Sequence, residues 1–348
     1  GVSCRFLDPN PSSPAARAGD LVEGEYDDAK ALQRQIERAQ VATYEFENVP
    51  AAAAEWLEQR LPVRPPPRAL EAAQDRLAEK TLLRELDVPV PPFEAVGREA
   101  DLRDAVERIG LPCVLKTRRL GYDGRGQCVI RTDEDLATAW ERIGRAPAIL
   151  EAFVPFQREV SIIGARRPGG DTRFYPIVQN RHADGILRES IAPAPCSSDE
   201  NAARLQLLAE GHARAVLERL DYVGVLTIEF FERDGDLLAN EMAPRVHNSG
   251  HWTIEGAGTS QFENHLRAVL DLELGPTGPR GASAMINVIG SPPREAGTLE
   301  ALGAYVHMYG KKARPGRKLG HVTVTATDHH ALHTRLREIY ETGALDGG

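Results

Sequence analysis

The stretch "LTIEFFERDGDLLANEMAPRVHN" (Leu226–Asn248) decides the fold, because it predicts a buried β-hairpin that leads directly into a polar segment. Asp234-Gly235 is a strong signal for the tip of such a hairpin. Glu229 lies in the first strand among aliphatic and aromatic residues, and a buried carboxylate requires a partner. The hairpin therefore carries an acidic group into the molecule, where a basic side chain or a cation can pair with it.

The pairing register of this hairpin determines which side chains meet. A two-residue turn sets Glu229 opposite Asn240, so that Glu241 points to the other face. A β-bulge or a longer turn brings Glu241 across from Glu229 instead. Two converging carboxylates suit Mg²⁺, which takes one or two of them together with phosphate oxygens. A salt bridge to an Arg or Lys of another element is an equally good interpretation, and both registers stay open.

A glycine-spaced loop lies upstream, in "VLKTRRLGYDGRGQCVI" (Val114–Ile130), between two predicted strands. Gly121, Gly124 and Gly126 allow the backbone to approach a ligand closely, and successive N–H groups in such loops bind phosphate oxygens. Lys116 ends the entering strand, where its ammonium can meet a phosphate. The loop lacks the Gly-x-x-x-x-Gly-Lys-Ser/Thr pattern, and a mobile hairpin with a surface lysine is the alternative interpretation.

The next strand pair, "ILEAFVPFQREVSIIG" (Ile149–Gly164), combines carboxylates with a short apolar run. Glu151 and Glu159 can accept ribose hydroxyls, and the apolar residues up to Val154 can line an adenine base. Taken locally, an edge connection with two solvated glutamates is the better interpretation.

The composition is that of a protein with a sizeable core and an acidic surface. The 348 residues are 42% hydrophobic and 27% charged, which is enough for two or three domains. A net charge of −9 argues against a general nucleic-acid binder, and no apolar run approaches the roughly 18 residues that span a membrane. We see no secretory signal and no Cys-x-x-Cys pair among four cysteines, so we expect a cytoplasmic protein.

One basic segment contrasts with this acidity. "YVHMYGKKARPGRKLGH" (Tyr305–His321) contains no acidic residue. A local basic cluster on an acidic protein is typical of a site for a small anionic ligand. Its lysines and arginines are Lys311, Lys312, Arg314, Arg317 and Lys318.

The order of the predicted elements indicates an α/β part followed by α+β parts. Strands over 2–8, 21–26 and 41–46 alternate with a helix over 27–39, which predicts a doubly wound parallel sheet. No Gly-x-Gly-x-x-Gly turn is present, so a nicotinamide cofactor is not supported. The remaining predicted elements are a helix over 71–88, short antiparallel strands from 111, a helix over 200–220, the hairpin, a β-rich unit from about 282 and a helix over 328–340.

Seven stretches together resemble the ATP-grasp superfamily and, within it, the N5-carboxyaminoimidazole ribonucleotide synthetases of purine biosynthesis. They are long, occur in the family's order and span nearly the whole chain. They are "TYEFENVP" (43–50), "QDRLAEK" (74–80), "KTRRLGYDGRGQ" (116–127), "EAFVPFQREVS" (151–161), "NEMAPRVHNSGHWTIE" (240–255), "SQFENHLRAVL" (260–270) and "YGKKARPGRKLGHV" (309–322).

The resemblance implies an ATP-grasp fold in three parts. An N-terminal pre-ATP-grasp α/β domain covers 1–72, an ATP-grasp domain covers 73–275 with a lid at about 111–180, and a small β-rich domain with a terminal helix covers 276–348. The family opens with a further strand and a glycine-rich loop, so we expect the N-terminal domain to lack its first strand and part of the ribonucleotide pocket. Leu120 stands where the family often has another glycine.

The resemblance also implies the residues of the site. The ATP positions are Arg76, Lys116, Gly121, Tyr122, Asp123, Gly124, Arg125, Gly126, Gln127, Glu151, Ala152, Phe153, Val154, Glu159, His182, Asn240 and Glu241. The implied ligands of Mg²⁺, or of Mn²⁺, are Glu229 and Glu241. The implied site for bicarbonate and carboxyphosphate comprises Arg245, His247 and Asn248, and that for the ribonucleotide phosphate comprises Lys311, Arg317 and Lys318.

The implied reaction couples ATP, bicarbonate and 5-aminoimidazole ribonucleotide through carboxyphosphate, and the implied assembly is a homodimer. Two alternatives are another ATP-grasp ligase, such as the formate-dependent glycinamide ribonucleotide transformylase, and a non-catalytic nucleotide-binding module. A zinc hydrolase is a third, but its histidines have no recognised ligand spacing. Those histidines are His182, His247, His251, His329, His330 and His333.

Three other polar residues have simpler interpretations or none. Glu45 and Glu47 follow the predicted third strand, where they suit the capping of the next helix. His251 has no assigned role.

Overall fold

The computed structural model describes residues 2–121 and 126–345. The N-terminal part contains β1 (Arg5–Asp8), β2 (Asp20–Glu23), α1 (Ala29–Gln35) and α2 (Ala51–Glu58). The two strands pair in parallel, as the alternation of strands and helices predicts. The third strand predicted over 41–46 is wrong, since only an isolated bridge joins Ala42 to Val63. The side chains that follow turn instead toward other parts of the chain, and Thr43 Oγ1 lies 2.8 Å from His265 Nε2.

The helix predicted over 71–88 is in fact two helices, α3 (Pro67–Gln74) and α4 (Arg76–Glu85). Asp75 separates them in an extended conformation, with φ −131° and ψ 109°. Its carboxylate caps α4 by accepting the Leu77 N–H at 3.0 Å and binds the Arg118 guanidinium through both oxygens. Periodicity alone could not locate this break, because the partner of Asp75 is more than forty residues away in the sequence.

A four-stranded antiparallel sheet follows, with the strand order β3-β6-β4-β5. Its elements are β3 (Phe93–Val96), α5 (Glu99–Ile109), β4 (Cys113–Thr117), β5 (Gln127–Ile130), α6 (Asp133–Arg142) and β6 (Ala148–Ala152). Helices α5 and α6 pack on one face around buried residues such as Leu115, Ile130 and Trp140. Val114 pairs with Glu151 across β4 and β6, so Lys116, two residues along, projects from the same face as Glu151.

A nine-stranded antiparallel sheet forms the rest of the chain, in the order β12-β11-β7-β9-β10-β13-β15-β14, with β8 on the side of β7. Its elements are β7 (Arg158–Arg166), β8 (Thr172–Phe174), β9 (Val178–Ala183), β10 (Ile186–Ala192), α7 (Asp199–Arg219), β11 (Gly224–Arg233), β12 (Asp236–Ala243), α8 (Thr253–Gly256), α9 (Gln261–Val269), β13 (Ala282–Ile289), α10 (Ala296–Ala301), β14 (Tyr305–Met308), β15 (Lys318–Ala326) and α11 (His329–Glu341). The hairpin predicted from Leu226 is therefore β11 and β12.

This sheet bears on the predicted domains. The β-rich unit predicted from about 282 is present, but its strands continue the same sheet that begins with β12. The strands of the predicted lid divide between the two sheets, β4 to β6 in the smaller and β7 to β9 in the larger. The domain limits of 1–72, 73–275 and 276–348 stay predictions. Within the described ranges, no helix is both long and apolar enough to cross a membrane.

Candidate active site

A β-bulge sets the register of the central hairpin. Glu229 pairs directly with Glu241, but the next residue, Phe230, pairs with Ala239, which leaves Asn240 as the extra residue. Of the two registers that the sequence left open, the structure has the one with a bulge. Both carboxylates therefore project from the same face of the sheet, and we call Glu229 and Glu241 the carboxylate pair.

The two members of the carboxylate pair differ in their charge. Burial raises the pKa of Glu229 to about 7, and the charge of Glu241 adds to this effect. Burial also opposes ionisation of Glu241, but the charge and hydrogen bond of Arg76, together with the charge of Lys116, lower the pKa of Glu241 to about 2. Arg76 Nη1 lies 3.0 Å from Glu241 Oε2, and Arg76 Nη2 donates to the Gly121 carbonyl at 3.3 Å.

The carboxylate pair fits a divalent cation in the chemistry of its donors. Glu229 also lies beside His247, whose Nε2 is 3.6 Å from Glu229 Oε1. In the described part of the chain, no cluster of three or more His, Cys, Asp or Glu side chains could hold a metal ion. A cation held by Glu229 and Glu241 would therefore complete its coordination with phosphate oxygens and water, as Mg²⁺ does.

A buried lysine and glutamate lie beside the carboxylate pair. Lys116 Nζ is 3.0 Å from Glu151 Oε2 and donates to Asn240 Oδ1 at 3.3 Å. Burial opposes ionisation of Glu151, but Lys116 and Lys80 together lower its pKa to about 2. The bulge residue Asn240 thus connects the carboxylate pair to the predicted nucleotide lysine.

Two residues of this region were missed by sequence reasoning, Glu79 and Lys80. They are almost fully buried, at 2% and 1% exposure. Lys80 Nζ lies 3.5 Å from Glu151 Oε2, and Glu79 Oε1 accepts the Met242 N–H at 2.5 Å. Adjacent charges in a regular helix ordinarily indicate a solvated face. The available signal was their spacing of three and four residues from Arg76, which puts all three on one face of α4.

Two other predicted ATP positions, Glu159 and His182, lie in the same region. Glu159 on β7 and His182 on β9 make a short contact, with 2.7 Å between Oε2 and Nδ1. Burial opposes protonation of His182, yet the hydrogen bond to Glu159 and the charge of Glu229 raise its pKa. Val154 is buried and Phe153 is exposed, next to Ala152 at the end of β6.

The glycine loop is described only at its two ends. Gly126 has a φ of +70°, and a Cβ there would lie 2.6 Å from Thr117 Oγ1, so glycine is required just before Gln127 begins β5. The predicted ATP residues Tyr122, Asp123, Gly124 and Arg125 lie outside the described residues.

Arg245 is held by the N-terminal part of the chain. Its Nε and Nη2 lie 3.0 and 2.9 Å from Glu47 Oε2. The prediction that Glu47 caps the next helix is wrong, because α2 begins after Pro50 and Glu47 binds Arg245 instead. Glu45 is close enough for the charges of Arg245 and Lys311 to act on it, although burial is the larger effect and raises the pKa of Glu45.

His247 and Asn248 follow Arg245 and are each fixed by a different element. The ring Nδ1 of His247 lies 2.9 Å from Ser249 Oγ, and the backbone N–H of His247 donates to Gln261 Oε1 at 3.0 Å. Burial and the charge of Arg245 lower the pKa of His247 to about 3, so its imidazole is neutral at physiological pH. Asn248 exchanges amide hydrogen bonds of 3.0 and 2.6 Å with Asn287 of β13. We call Arg245, His247 and Asn248 the anion segment.

The basic turn, residues 309–318, links β14 to β15. Lys311 Nζ lies 5.2 Å from the centre of the Tyr309 ring, and the Tyr309 hydroxyl lies 2.7 Å from His321 Nδ1. Burial and the charge of Arg317 lower the pKa of Lys311. The charge of Lys318 acts on both Glu229 and His247. Lys318 of the basic turn, the anion segment and the carboxylate pair therefore lie close to one another.

His251 now has a structural interpretation. Its ring packs 5.0 Å from His321 and 5.2 Å from Phe262, between centres, and its Nδ1 lies 3.1 Å from Gln261 Nε2. Burial and the charge of His321 place the pKa of His251 well below its usual value. His251 is thus a neutral packing residue beneath the basic turn.

Family models match the three parts of the chain in order. The ribonucleotide synthetase preATP-grasp domain model matches residues 1–74, the ATP-grasp domain model matches 81–262, and the phosphoribosylaminoimidazole carboxylase C-terminal domain model matches 283–335. The chain is 48% identical to the N5-carboxyaminoimidazole ribonucleotide synthase of Pseudomonas aeruginosa over 339 residues, which are 97% of this chain and 92% of that protein.

Solved structures of the same kind of protein superpose on the whole chain. The N5-carboxyaminoimidazole ribonucleotide synthetase from Thermus thermophilus has a TM-score of 0.92 at 54% identity, covering 98% of this chain and 92% of that one. The N5-carboxyaminoimidazole synthase from Aspergillus clavatus, in complex with ADP and 5-aminoimidazole ribonucleotide, has a TM-score of 0.87 at 29% identity, covering 97% and 91%. The resemblance inferred from the seven stretches is confirmed, and the chain belongs to the N5-carboxyaminoimidazole ribonucleotide synthase family of ATP-grasp ligases.

Proposed function

We propose that this protein uses ATP and bicarbonate to carboxylate the 5-amino group of 5-aminoimidazole ribonucleotide in purine biosynthesis. The observation that carries the proposal is the approach of the anion segment to the carboxylate pair, where His247 Nε2 lies 3.6 Å from Glu229 Oε1 and the charge of Lys318 acts on both residues. A cation-binding carboxylate pair, an anion segment and a phosphate-binding turn are the three parts that such a reaction requires.

In this proposal, the residues beside the carboxylate pair bind ATP and its cation. Arg76 and Lys116, which lie beside Glu241 and Glu151, are the cations that meet the phosphates. The glycine loop is the further phosphate-binding part that the resemblance implies. Glu229 and Glu241 would hold Mg²⁺, or Mn²⁺, which would neutralise charge on the phosphate oxygens when bound. Glu151 to Val154, together with Glu159 and His182, bind the adenosine.

The anion segment binds the acyl donor. A bicarbonate oxygen attacks the γ-phosphorus, the bond to the ADP oxygen breaks, and carboxyphosphate forms. The Arg245 guanidinium, already oriented by Glu47, is suited to bidentate binding of such an anion. Neutral His247 and the Asn248 amide orient it through hydrogen bonds.

The ribonucleotide completes the reaction. Its 5-amino nitrogen attacks the carboxyl carbon of carboxyphosphate, phosphate leaves, and the nitrogen loses a proton. The ribonucleotide phosphate is bound by Lys311, Arg317 and Lys318, which together supply positive charge on one turn. Carboxyphosphate hydrolyses in water, so the site must exclude solvent while it exists.

Assembly and location are further parts of the proposal. We propose a homodimer in the cytoplasm, on the strength of the family resemblance and of four scattered cysteines. Light scattering on the purified chain tests the dimer, and a molar mass of one chain contradicts it.

The central experiment measures phosphate release from ATP in bicarbonate buffer, with and without 5-aminoimidazole ribonucleotide. We expect strong stimulation by the ribonucleotide and formation of one ADP per carboxylated product. The matched assay replaces bicarbonate and the ribonucleotide with formate and glycinamide ribonucleotide. Stimulation only in the second assay would show that the transformylase alternative is right.

A further inference from the structure

We propose that Glu79 and Lys80, adjacent residues of α4, are positioning residues that clamp the bulge of β12 and so hold Glu241 opposite Glu229. The proposal rests on the proposed function, because it assigns these residues through the role of Glu241 in binding the nucleotide-bound cation. Neither residue belongs to the ATP, metal, anion or ribonucleotide positions that the family resemblance implies.

The need for a clamp follows from where the bulge lies. Among the described residues, strand β12 is the edge strand of the nine-stranded sheet, so no further strand pairs with its outward N–H and C=O groups. The extra residue, Asn240, lies between Ala239 and Glu241, and it disrupts the ladder at this point. A bulge on an open edge would leave the position of Glu241 poorly determined.

Glu79 and Lys80 satisfy the outward groups on both sides of the bulge. Lys80 Nζ donates to the Ala239 carbonyl at 2.8 Å, one residue before Asn240. Glu79 Oε1 accepts the Met242 N–H at 2.5 Å, one residue after Glu241. Two consecutive helix residues therefore hold the two ends of the Asn240-Glu241 segment, which fixes the bulge against a rigid element.

The burial of these charges shows that the contacts are specific. Glu79 and Lys80 are exposed by only 2% and 1%, whereas glutamate and lysine are seldom buried without partners. Lys80 Nζ also lies 3.5 Å from Glu151 Oε2, the oxygen that Lys116 binds at 3.0 Å. One turn of α4 therefore contacts both the strand that carries Glu241 and the glutamate that binds Lys116.

The same helix face contacts Glu241 directly. Arg76 precedes Glu79 and Lys80 by three and four residues, and its Nη1 lies 3.0 Å from Glu241 Oε2. Arg76 thus binds the side chain of Glu241 while Glu79 and Lys80 bind the backbone around it. The clamp contacts act through the β12 backbone, so we class Glu79 and Lys80 as positioning rather than catalytic residues.

The first test compares Glu79→Leu with Glu79→Gln in the full-length protein. Glu79→Leu leaves the Met242 N–H without an acceptor, whereas the side-chain amide that Glu79→Gln introduces retains an oxygen that accepts it. We expect Glu79→Leu to raise the Mg²⁺ concentration for half-maximal turnover about 10- to 100-fold, the range for groups that orient metal ligands. Glu79→Gln should recover most of this loss, and the KM for the ribonucleotide should stay constant in both variants.

A binding measurement separates the clamp from the activity. We expect Mg²⁺ to tighten ADP binding to the wild type, measured by calorimetry, and to tighten it about tenfold less in Glu79→Leu. ADP binding without Mg²⁺ should be equal in the two proteins. Glu85→Gln, on the exposed side of α4, is the matched control and should behave as the wild type does. This comparison needs no ribonucleotide, so it stands even if the proposed carboxylation fails.

Hydrogen exchange provides a test that needs no variant. The Met242 amide should exchange as slowly as the amides of the central strand β7, because Glu79 protects it. Fast exchange, as on an open edge strand, would overturn the clamp. So would a folded Glu79→Leu with wild-type Mg²⁺ dependence, or a Glu79→Gln that is damaged as severely as Glu79→Leu.

Discussion

The carboxylate pair is acidic and the basic turn is cationic, and the two regions are built in opposite ways. Around the carboxylate pair, charged groups are paired within the protein. Lys116 and Glu151 are both buried, and Arg76 pairs with Glu241, whose side chain is 41% exposed. In the basic turn, Lys311 is exposed and lies over the Tyr309 ring, and Arg317 donates to the Lys312 carbonyl at 3.4 Å.

This difference concerns how the charged groups of each region are compensated in the absence of ligands. Buried charges must be compensated at all times, because an unpaired charge in the interior is costly. The carboxylate pair is therefore preorganised for a cation and a polyphosphate, which replace part of the existing pairing. Lys311 lies closer to the solvent and needs less compensation, which suits it to binding one phosphate.

The largest expected effect is at the buried region. Glu241→Gln removes the charged member of the carboxylate pair and leaves Arg76 without its partner. We expect ADP formation to fall by a factor of about 10³ or more, on the order of 4 kcal/mol in the activation free energy. The assay is ADP release at saturating ATP, Mg²⁺ and ribonucleotide. Full turnover in a folded Glu241→Gln protein would contradict the assignment of Glu241 to the cation. The control is Glu263→Gln, which removes a surface pair with Arg267.

The next effect concerns pH, which should affect buried groups most. His265 accepts the Val225 N–H at 3.2 Å, and burial lowers its pKa from 6.5 to about 4. Between these pH values His265 is protonated in the unfolded chain but neutral in the folded chain. The free energy of unfolding therefore decreases as pH falls from about 6.5 to about 4. The contribution of His265 to this loss is about 3 kcal/mol.

The measurement is the free energy of unfolding in urea at several pH values. His265→Gln should show a smaller decrease than the wild type over the same range. His333→Gln, on the exposed side of α11, is the matched control. An identical decrease in His265→Gln and the wild type would show that His265 is not the source.

A smaller effect is expected at the basic turn. Arg317→Ala should raise the KM for the ribonucleotide about 10- to 100-fold, since charge-assisted hydrogen bonds contribute about 1.5–3 kcal/mol, and the effect should shrink at high salt. The KM for ATP should change little, because Arg76 and Lys116 bind the nucleotide. Arg314→Ala, on the same turn, is the control. Equal increases in both KM values would contradict the separation of the two regions.

The smallest effect is expected at Leu120, beside the glycine loop. Leu120 has a φ of +61° and is 77% exposed. Leu120→Gly relieves a left-handed conformation that costs about 1–2 kcal/mol, but glycine also adds freedom to the unfolded chain by about 0.5–1 kcal/mol. We therefore expect the free energy of unfolding to change by no more than about 1 kcal/mol, measured by thermal denaturation. A loss above about 2 kcal/mol would show that the Leu120 side chain itself is needed.

Prediction from sequence succeeded where the signal is local. The hairpin at Asp234-Gly235, the helix over 200–220 and the parallel pair β1 and β2 all follow from turn chemistry and from periodicity. Prediction from sequence failed where the local conformation depends on a residue that is distant in the sequence. The break at Asp75 and the irregular segment over 41–46 both depend on contacts with residues far along the chain.

The site shows the same division. The resemblance of seven stretches assigned residues to ATP, metal, anion and ribonucleotide, and these individual roles stay predictions. The structure places Arg76 beside Glu241, Glu241 opposite Glu229, and Glu229 beside His247. The contacts of Glu47, Glu79 and Lys80 were missed, because their partners are Arg245, Met242 and Ala239 on other elements.

The sequence by itself determined that a carboxylate enters the core on a hairpin, that a polar segment follows it, and that a basic turn lies near the C-terminus. Each of these is a local pattern of side-chain types. That Glu229 faces Glu241 could be seen only in the tertiary structure. A bulge shifts the register by one residue and so changes the face on which Glu241 lies, and α4 contacts the edge of β12 on both sides of this bulge. A register is a property of two strands and their neighbours, so one strand's sequence cannot specify it.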